Sequence, residues 1–169
     1  MANQTKLEYS PSGPFYRMVV AYKAAIGGLV IFRSEFKEIR QKLNSVGIGS
    51  KIHGALSFPY SEMDEIYKSD ELTQGMITDS LAFMLINTAF EAVKQSMSRS
   101  NPMHQFFRHL RNAASHGGTF NFYNNEPRYP ANWRDREINR ELHGKSIWSP
   151  NLGPGDFLIL LNDIEADIR

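Results

Sequence analysis

A short segment in the second half of the chain concentrates side chains that can donate hydrogen bonds: Arg111, Asn112, Ser115 and His116. It lies within a stretch, Ala92 to Asn125, that contains no Asp or Glu. The same stretch holds four basic residues and three of the five histidines: Lys94, Arg99, Arg108, Arg111, His104, His109 and His116. Basic side chains bind phosphate through strong charge-assisted hydrogen bonds. We therefore expect this region to favour phosphate, and RNA phosphate in particular.

Clear helix signals surround the segment. Asn101 is a good N-cap and Pro102 suits the first helical position, while Gly117 and Gly118 favour the left-handed conformation that ends a helix. Between these signals, apolar residues at helical spacing form one narrow stripe: Met103, Phe106, Phe107, Leu110, Ala113 and Ala114. The stripe predicts a core-facing side. At about 100° per residue, the polar side chains lie off this stripe on one arc: Arg111, His104, Ser115, Arg108, Asn112, Gln105 and His116.

The two ends of this arc are far apart on a single helix. Arg111 and His116 form an i, i+5 pair, which is separated by about 140° around the axis. One helix can therefore flank a ligand only loosely with these side chains. Two copies of the arc facing each other across a two-fold axis would enclose a composite site, which favours a homodimer. Glu91, on the preceding predicted helix, could orient a catalytic group or simply balance the charge of Arg111.

The sequence from Phe107 to Gly118 resembles the HEPN superfamily (higher eukaryotes and prokaryotes nucleotide-binding). The mark of that superfamily is an Arg, usually followed by a polar residue, and a His four to six residues further on, on a late helix of an α-bundle. Arg111, Asn112 and His116 match its Arg-Asn-x-x-x-His form.

Two other arginine–histidine pairs have a similar spacing: Arg99 with His104, and Arg136 with His143. The first pair straddles the predicted start of the helix, and the second lies in a predicted β region. Only the pair formed by Arg111 and His116 has the polar second residue, the apolar stripe and the glycine stop.

The resemblance implies a dimeric, metal-independent endoribonuclease in which the 2′-hydroxyl of RNA is the nucleophile. His116 is then the general acid or base, Arg111 stabilises charge on the phosphate, and Asn112 holds the phosphate or orients the site. Arg108 and Ser115 are further candidates for lining the site. The resemblance implies no cofactor and no metal.

Three functional hypotheses stay open. Many HEPN relatives are toxins or act in defence against phage, so the first is a toxin or phage-defence ribonuclease, with or without a separate antitoxin or partner protein. The second is a non-catalytic HEPN-like dimer that binds nucleotide, RNA or a protein partner. The third is a structural bundle in which the motif is accidental.

Other residues carry weaker signals. His104 and His109 are expected to be solvated, and with His116 they are too widely spread around the helix to form a zinc cluster. Aromatic and basic residues mix after the motif: Trp133, Trp148, Tyr123 and Tyr129 among Arg128, Arg134, Arg136, Arg140 and Lys145. Such a mixture is typical of a base-stacking platform or of the core and rim of a small sheet, and we prefer the second interpretation.

The whole pattern predicts a mainly α protein, a HEPN-like helical bundle with a small β hairpin or sheet insertion after the motif helix. Residues 1–13 are expected to be a flexible segment and residues 14–169 a single domain. Besides the motif helix, helical periodicity predicts helices at about 15–43 and 70–98 and a final helix opened by residues 154–156. Gly47, Gly49 and Pro59 predict a loop, and Ser61 predicts the start of a short helix.

Residues 119–150 are expected to form a small β-containing appendage. Alternation predicts a strand at residues 119–123, and residues 137–142 and 145–148 are predicted to pair as a hairpin around His143 and Gly144.

Composition limits the classes of protein. The chain has 169 residues, a net charge of +1, 41% hydrophobic and 22% charged residues, which is ordinary for a soluble globular domain. The absence of cysteine excludes disulfides and thiolate metal sites. The first ten residues lack the apolar core of a signal peptide, and the longest apolar run, Ala24 to Phe32, is too short to span a bilayer. We expect a cytoplasmic protein without a membrane partner.

Overall fold

A computed structural model describes residues 7–34, 45–50, 54–59 and 71–168. Within these ranges the protein is mainly helical, as predicted, with small antiparallel β elements. The helices are α1 (Tyr16–Ser34), α2 (Glu71–Val93), α3 (Pro102–Ser115) and α4 (Pro154–Asp167), with a short 3-10 helix at Arg140–Leu142. The strands are β1 (Ser45–Ser50), β2 (Gly54–Pro59), β3 (Asn132–Trp133) and β4 (Arg136–Glu137). The chain forms two compact units, residues 1–22 with 79–169, and residues 23–78.

The candidate site belongs to the first unit, and its central element is α3. Asn101 caps this helix, because its Oδ1 accepts hydrogen bonds from the backbone N–H groups of Met103 (2.9 Å) and His104 (3.4 Å). Pro102 is the first helical residue. The predicted boundaries and apolar stripe are confirmed, since five of the six stripe residues are buried: Phe106, Phe107, Leu110, Ala113 and Ala114.

Helix α2 supplies much of the remaining core. Its Ala82, Leu85, Ile86 and Ala89 are buried, and Phe90 makes an edge contact with the buried Phe107 of α3. The segment Gly75–Val93 is apolar and long enough to cross a bilayer by length and composition alone. The core helix of a soluble protein can have the same length and composition; in this segment 28% of the residues are buried.

Helix α4 closes the core on another side of α3. Its buried residues include Phe157, Leu161 and Ile164, which recur at helical spacing on one face. The start of the helix is fixed by Asp156, whose Oδ2 accepts a hydrogen bond from the backbone N–H of Gly153 at 2.8 Å. In the N-terminal segment, Tyr9 donates a hydrogen bond to the carbonyl of Leu158.

Residues 119–150 are only partly as predicted. Phe120 and Phe122 are buried and Tyr123 is exposed, but the strand predicted at residues 119–123 does not form, and only an isolated bridge joins Thr119 to Ser146. This extended segment pairs with residues 144–147, through hydrogen bonds from Phe120 N to Lys145 O and from Gly144 N to Phe120 O. The predicted hairpin of 137–142 with 145–148 is wrong, because residues 140–142 form a 3-10 turn and β4 pairs with β3.

The second unit contains a β hairpin. Strands β1 and β2 pair antiparallel, from Ser45 opposite Pro59 to Ser50 opposite Gly54. The predicted loop across Gly47, Gly49 and Pro59 is therefore wrong: glycine disfavours strands only weakly, and cross-strand pairing overrides that preference. The predicted short helix from Ser61 lies outside the described residues, as does the predicted continuation of α1 beyond residue 34.

Candidate functional site

The HEPN-like motif occupies the last turn of α3 and opens to solvent. Arg111 and Asn112 are half-buried, whereas Ser115 and His116 are exposed. His116 is the C-cap, and its backbone N–H bonds to the carbonyl of Ala113 at 3.0 Å. Its side chain makes no hydrogen bond or ion pair with any of the described residues. The ring is therefore available to a ligand.

The chain turns sharply after the motif at two glycines. Gly117 and Gly118 have φ angles of +68° and +77°, a region that other residues rarely adopt. A Cβ on Gly118 would also lie 2.5 Å from the ring of Phe83. The N–H of Gly118 bonds to Ala113 O at 2.9 Å, and its carbonyl accepts from Ile147 N at 2.7 Å. Glycine at 118 thus fixes the end of the helix against α2 and the appendage.

Arg111 is held in place from several sides. Its Nη2 lies 3.0 Å from Glu91 Oε1, and its guanidinium lies over the ring of Phe90, 5.4 Å from the centroid. Nη1 donates a hydrogen bond to Asn112 Oδ1 at 3.4 Å. The Nε atom is buried without a hydrogen-bond partner among the described residues. The pairing of Glu91 with Arg111, which the sequence left open, is therefore present.

Glu91 is shared between two cations. It bonds to Lys94 as well as to Arg111. The hydrogen bond from Lys94, together with the charges of both cations, holds the pKa of Glu91 below its usual value against an opposing effect of desolvation. The carboxylate is ionised at neutral pH, but the group is exposed, so solvent and salt screen the pair. A phosphate could compete with Glu91 for the guanidinium.

Ser115 and Arg108, both predicted to bind substrate, have protein partners. Ser115 Oγ donates a hydrogen bond to Asn87 Oδ1 of α2 at 2.7 Å. Arg108 Nη1 pairs with Glu126 at 3.0 Å, and its Nε donates to Gln105 Oε1 at 3.0 Å. Ser115 therefore stays at the open surface beside α2, whereas Arg108 is engaged with the loop that carries Glu126.

The expectation that His104 and His109 are solvated is wrong. His104 is 3% exposed and His109 is 1% exposed. His104 Nδ1 accepts a hydrogen bond from Ser98 N at 2.9 Å. Its Nε2 lies 3.0 Å from Asp167 Oδ2, although the N–H does not point closely enough at that oxygen to form a hydrogen bond.

His109 lies edge-on to Phe122. Burial, followed by the charge of Arg108, lowers the pKa of His109 to about 4, against an opposing effect of Glu126. The ring is therefore neutral at pH 7. Helix periodicity placed both histidines off the apolar stripe, but segments distant in sequence cover that side of the helix.

In the folded protein, acidic residues from elsewhere in the chain compensate part of the basic charge of the stretch from Ala92 to Asn125. Folding brings three carboxylates to it: Glu91 to Arg111 and Lys94, Glu126 to Arg108, and Asp167 to His104. These acids lie just outside the stretch or far along the chain, so a linear count of charges could not detect their pairing. Asn87, the partner of Ser115, had no distinguishing sequence signal either.

The aromatic cluster of the appendage separates into two classes. Trp133 is 3% exposed, and its Nε1 donates to Asp163 at 2.8 Å. Trp148 stacks between Phe83 and Phe157. These tryptophans belong to the core, as the preferred interpretation expected. Tyr123 and Tyr129, in contrast, are 65% and 50% exposed.

In the part of the chain that the structure describes, no group of three or more His, Asp or Glu side chains is placed to hold a metal ion. Comparisons with protein-family models, with curated proteins and with solved structures find no match to this chain. The functional argument therefore rests on the chemistry and geometry of the site.

Proposed function

We propose that this protein is a HEPN-type, metal-independent endoribonuclease that works as a cytoplasmic homodimer. One observation carries the proposal. Of the three histidines on or at the end of α3, two are buried, and His116 alone is exposed. It shares the open last turn with an Arg111 that is anchored by Glu91 and Phe90. An accessible imidazole and an oriented guanidinium at the end of one helix are a combination suited to phosphodiester chemistry.

The reaction proposed is a transesterification within RNA. The 2′-hydroxyl attacks the adjacent phosphorus, a bond forms between that oxygen and phosphorus, and the bond to the 5′-oxygen breaks. The products are a 2′,3′-cyclic phosphate and a 5′-hydroxyl. One base must take the proton of the 2′-hydroxyl, and one acid must protonate the leaving oxygen.

A homodimer supplies two imidazoles for these two proton transfers. One His116 can act as the general base while the other acts as the general acid. Within one chain, the i, i+5 spacing keeps Arg111 and His116 about 140° apart around the helix. A second copy of the open turn would complete the flanking of the phosphate.

In this proposal Arg111 stabilises charge on the phosphate, and Glu91 is a positioning residue. The aromatic ring of Phe90 and the carboxylate of Glu91 restrict the guanidinium before substrate arrives. Asn112, whose Oδ1 contacts Arg111, can offer its amide N–H to a phosphate oxygen. Ser115 lines the same turn.

The second candidate is a HEPN-like dimer that binds nucleotide, RNA or a protein partner without cleaving. The ion pair between Glu91 and Arg111 favours the last of these, a protein partner, because the carboxylate already compensates the charge that a phosphate would need. Expression in a bacterial host separates the two roles. Growth inhibition that Arg111→Ala relieves supports a toxin or phage-defence ribonuclease, with or without an antitoxin, and unimpaired growth with wild-type protein supports the binder.

Incubation of full-length protein with RNA in excess EDTA tests the proposal. We expect cleavage with 2′,3′-cyclic phosphate ends, and a loss of roughly 100-fold or more for His116→Ala and Arg111→Ala. Matched controls are His143→Asn, at another exposed histidine, and Arg99→Ala, at an exposed arginine just before α3. Equal cleavage by His116→Ala and wild type, or none by wild type, would reject the ribonuclease.

A further inference from the structure

The loop from Tyr123 to Tyr129 displays two aromatic rings to solvent. Tyr123 and Tyr129 are 65% and 50% exposed, although burial of an aromatic ring is a large source of stability. Each is next in sequence to a residue with exposed polar groups, Asn124 and Arg128. Two flat rings kept in water at the ends of one short loop are candidates for stacking on a ligand.

Internal bonds hold this loop in a defined shape. Asn124 and Asn125 adopt φ angles of +52° and +62°, a region that asparagine tolerates better than most residues. The guanidinium of Arg128 donates from Nε and Nη2 to Asn124 O, both at 3.3 Å. Arg140 Nη1 donates to Asn125 Oδ1 at 3.4 Å. Two exposed arginines are thereby brought to the same loop as the two tyrosines.

The charge of these two arginines is not compensated by an ion pair in the described part of the chain. Arg134 and Arg136 differ, because they pair with Asp163 and with Asp135 and Asp156 respectively. Glu126, the acid within the loop, is paired with Arg108 at 3.0 Å. Glu141 follows Arg140 in sequence and is exposed, but the two form no ion pair.

We propose that the 123–129 loop is a binding surface for single-stranded RNA, on which bases stack against Tyr123 and Tyr129 and phosphates bind Arg128 and Arg140. Exposed aromatic rings and guanidinium groups on one loop are suited to the bases and phosphates of an unpaired strand. Stacking of this kind tolerates every base, since each has a π face. The surface therefore selects an unpaired strand and not a particular sequence.

This surface connects to the last turn of α3 through Arg108, which contacts Glu126 of the loop and lies one turn before Asn112. The inference deepens the proposed function and rests on it for the identity of the substrate: the motif acts on the phosphate, and the loop holds a neighbouring unpaired stretch. The loop residues themselves take no part in proton transfer.

Fluorescence anisotropy with a labelled ten-nucleotide oligouridylate tests the inference. Full-length protein carrying His116→Ala is used in every sample, so that the probe stays intact. We expect Tyr123→Leu and Tyr129→Leu each to weaken binding roughly tenfold. Replacing Arg128 and Arg140 by Gln should lower the slope of log affinity against log salt by about 0.7 for each arginine.

Matched controls come from α1, where Tyr16 and Arg17 are also neighbouring exposed residues. Tyr16→Leu and Arg17→Gln should leave affinity unchanged. An abasic ten-nucleotide strand of equal charge should bind the His116→Ala protein with an unchanged loop only weakly. Its affinity should be about that of the tyrosine variants for oligouridylate.

Three results would overturn the inference: unchanged affinity in both tyrosine variants, equal affinity for the abasic strand, or stronger binding of a glutamate decamer than of oligouridylate. Failure of the proposed ribonuclease function can be distinguished from failure of the loop inference. Tyrosine-dependent binding without cleavage by the chain that retains His116 supports the loop and rejects the ribonuclease, whereas cleavage with no tyrosine effect on binding rejects the loop alone.

Discussion

Helix α3 with its C-cap spans residues 102–116. Its covered half, residues 102–109, and its open half, residues 110–116, carry similar polar residues but have opposite environments. In the first half, His104, Gln105 and His109 are buried, and each has a partner from another segment or a neighbouring side chain. In the second half, Ser115 and His116 face solvent. Helical periodicity treats both halves alike, because it counts angles around one axis. Other segments pack over part of the helix: the loop after α2, the appendage and α4. Their packing determines which polar side chains of α3 stay exposed to solvent.

The largest effect is expected where the open half ends, at Gly118. Gly118→Ala should lower the free energy of unfolding by about 3 kcal/mol, because the new methyl group meets Phe83 and φ is positive. Gly117→Ala is the matched control: its φ is also positive, but no atom lies within 4 Å of the added Cβ, so a loss of about 1 kcal/mol is expected. Chemical denaturation measures both. Equal losses would show that Phe83 does not constrain this turn.

An effect of up to the same size is expected from protonation in the covered half. His109 has a pKa of about 4 in the folded protein and about 6.5 when unfolded. Between these values the unfolded chain binds more protons, so the free energy of unfolding should fall as pH decreases from about 6.5 to about 4. The total loss is up to about 3 kcal/mol. Denaturation of wild type and His109→Gln over this range measures it, and identical pH slopes would contradict the burial of His109.

The two positions also differ in how far their surroundings could be predicted from the sequence. The boundaries of α3 were predictable, since the N-cap at Asn101, Pro102 and the glycine stop are all local signals. The motif was found for the same reason. Burial of His109 was not predictable, because Phe122 contacts its ring only after the appendage folds back along α3.

The appendage shows a related limit. Alternation predicted a strand at residues 119–123, but the structure has only one isolated bridge there, Thr119 opposite Ser146, and the partner segment, residues 144–147, was assigned to a different pairing. His143 and Gly144 were a weak turn signal, and nothing local distinguishes a hairpin from a 3-10 turn followed by pairing with a distant segment. Likewise, Glu91 is 20 positions before Arg111, so their contact depends on how α2 packs against α3.

The smallest stability effect is expected at that contact. Glu91→Gln should leave the free energy of unfolding nearly unchanged, because the pair is exposed and screened by solvent. The substitution should affect cleavage more strongly, through both kinetic constants. KM should fall because the competing charge is lost, and kcat should fall several-fold because Arg111 is no longer held in position. Glu141→Gln, at another exposed carboxylate, is the control. If neither kinetic constant changes, Glu91 does not position Arg111.

The contrast between the two halves of α3 is tested most directly by measuring cleavage and stability together for one histidine from each. Under EDTA, His116→Ala should lose roughly 100-fold or more of the RNA cleavage rate while keeping the melting temperature of wild type. His109→Gln should lower the melting temperature while keeping the cleavage rate of the folded fraction. Loss of cleavage in His109→Gln with full activity in His116→Ala would contradict the account.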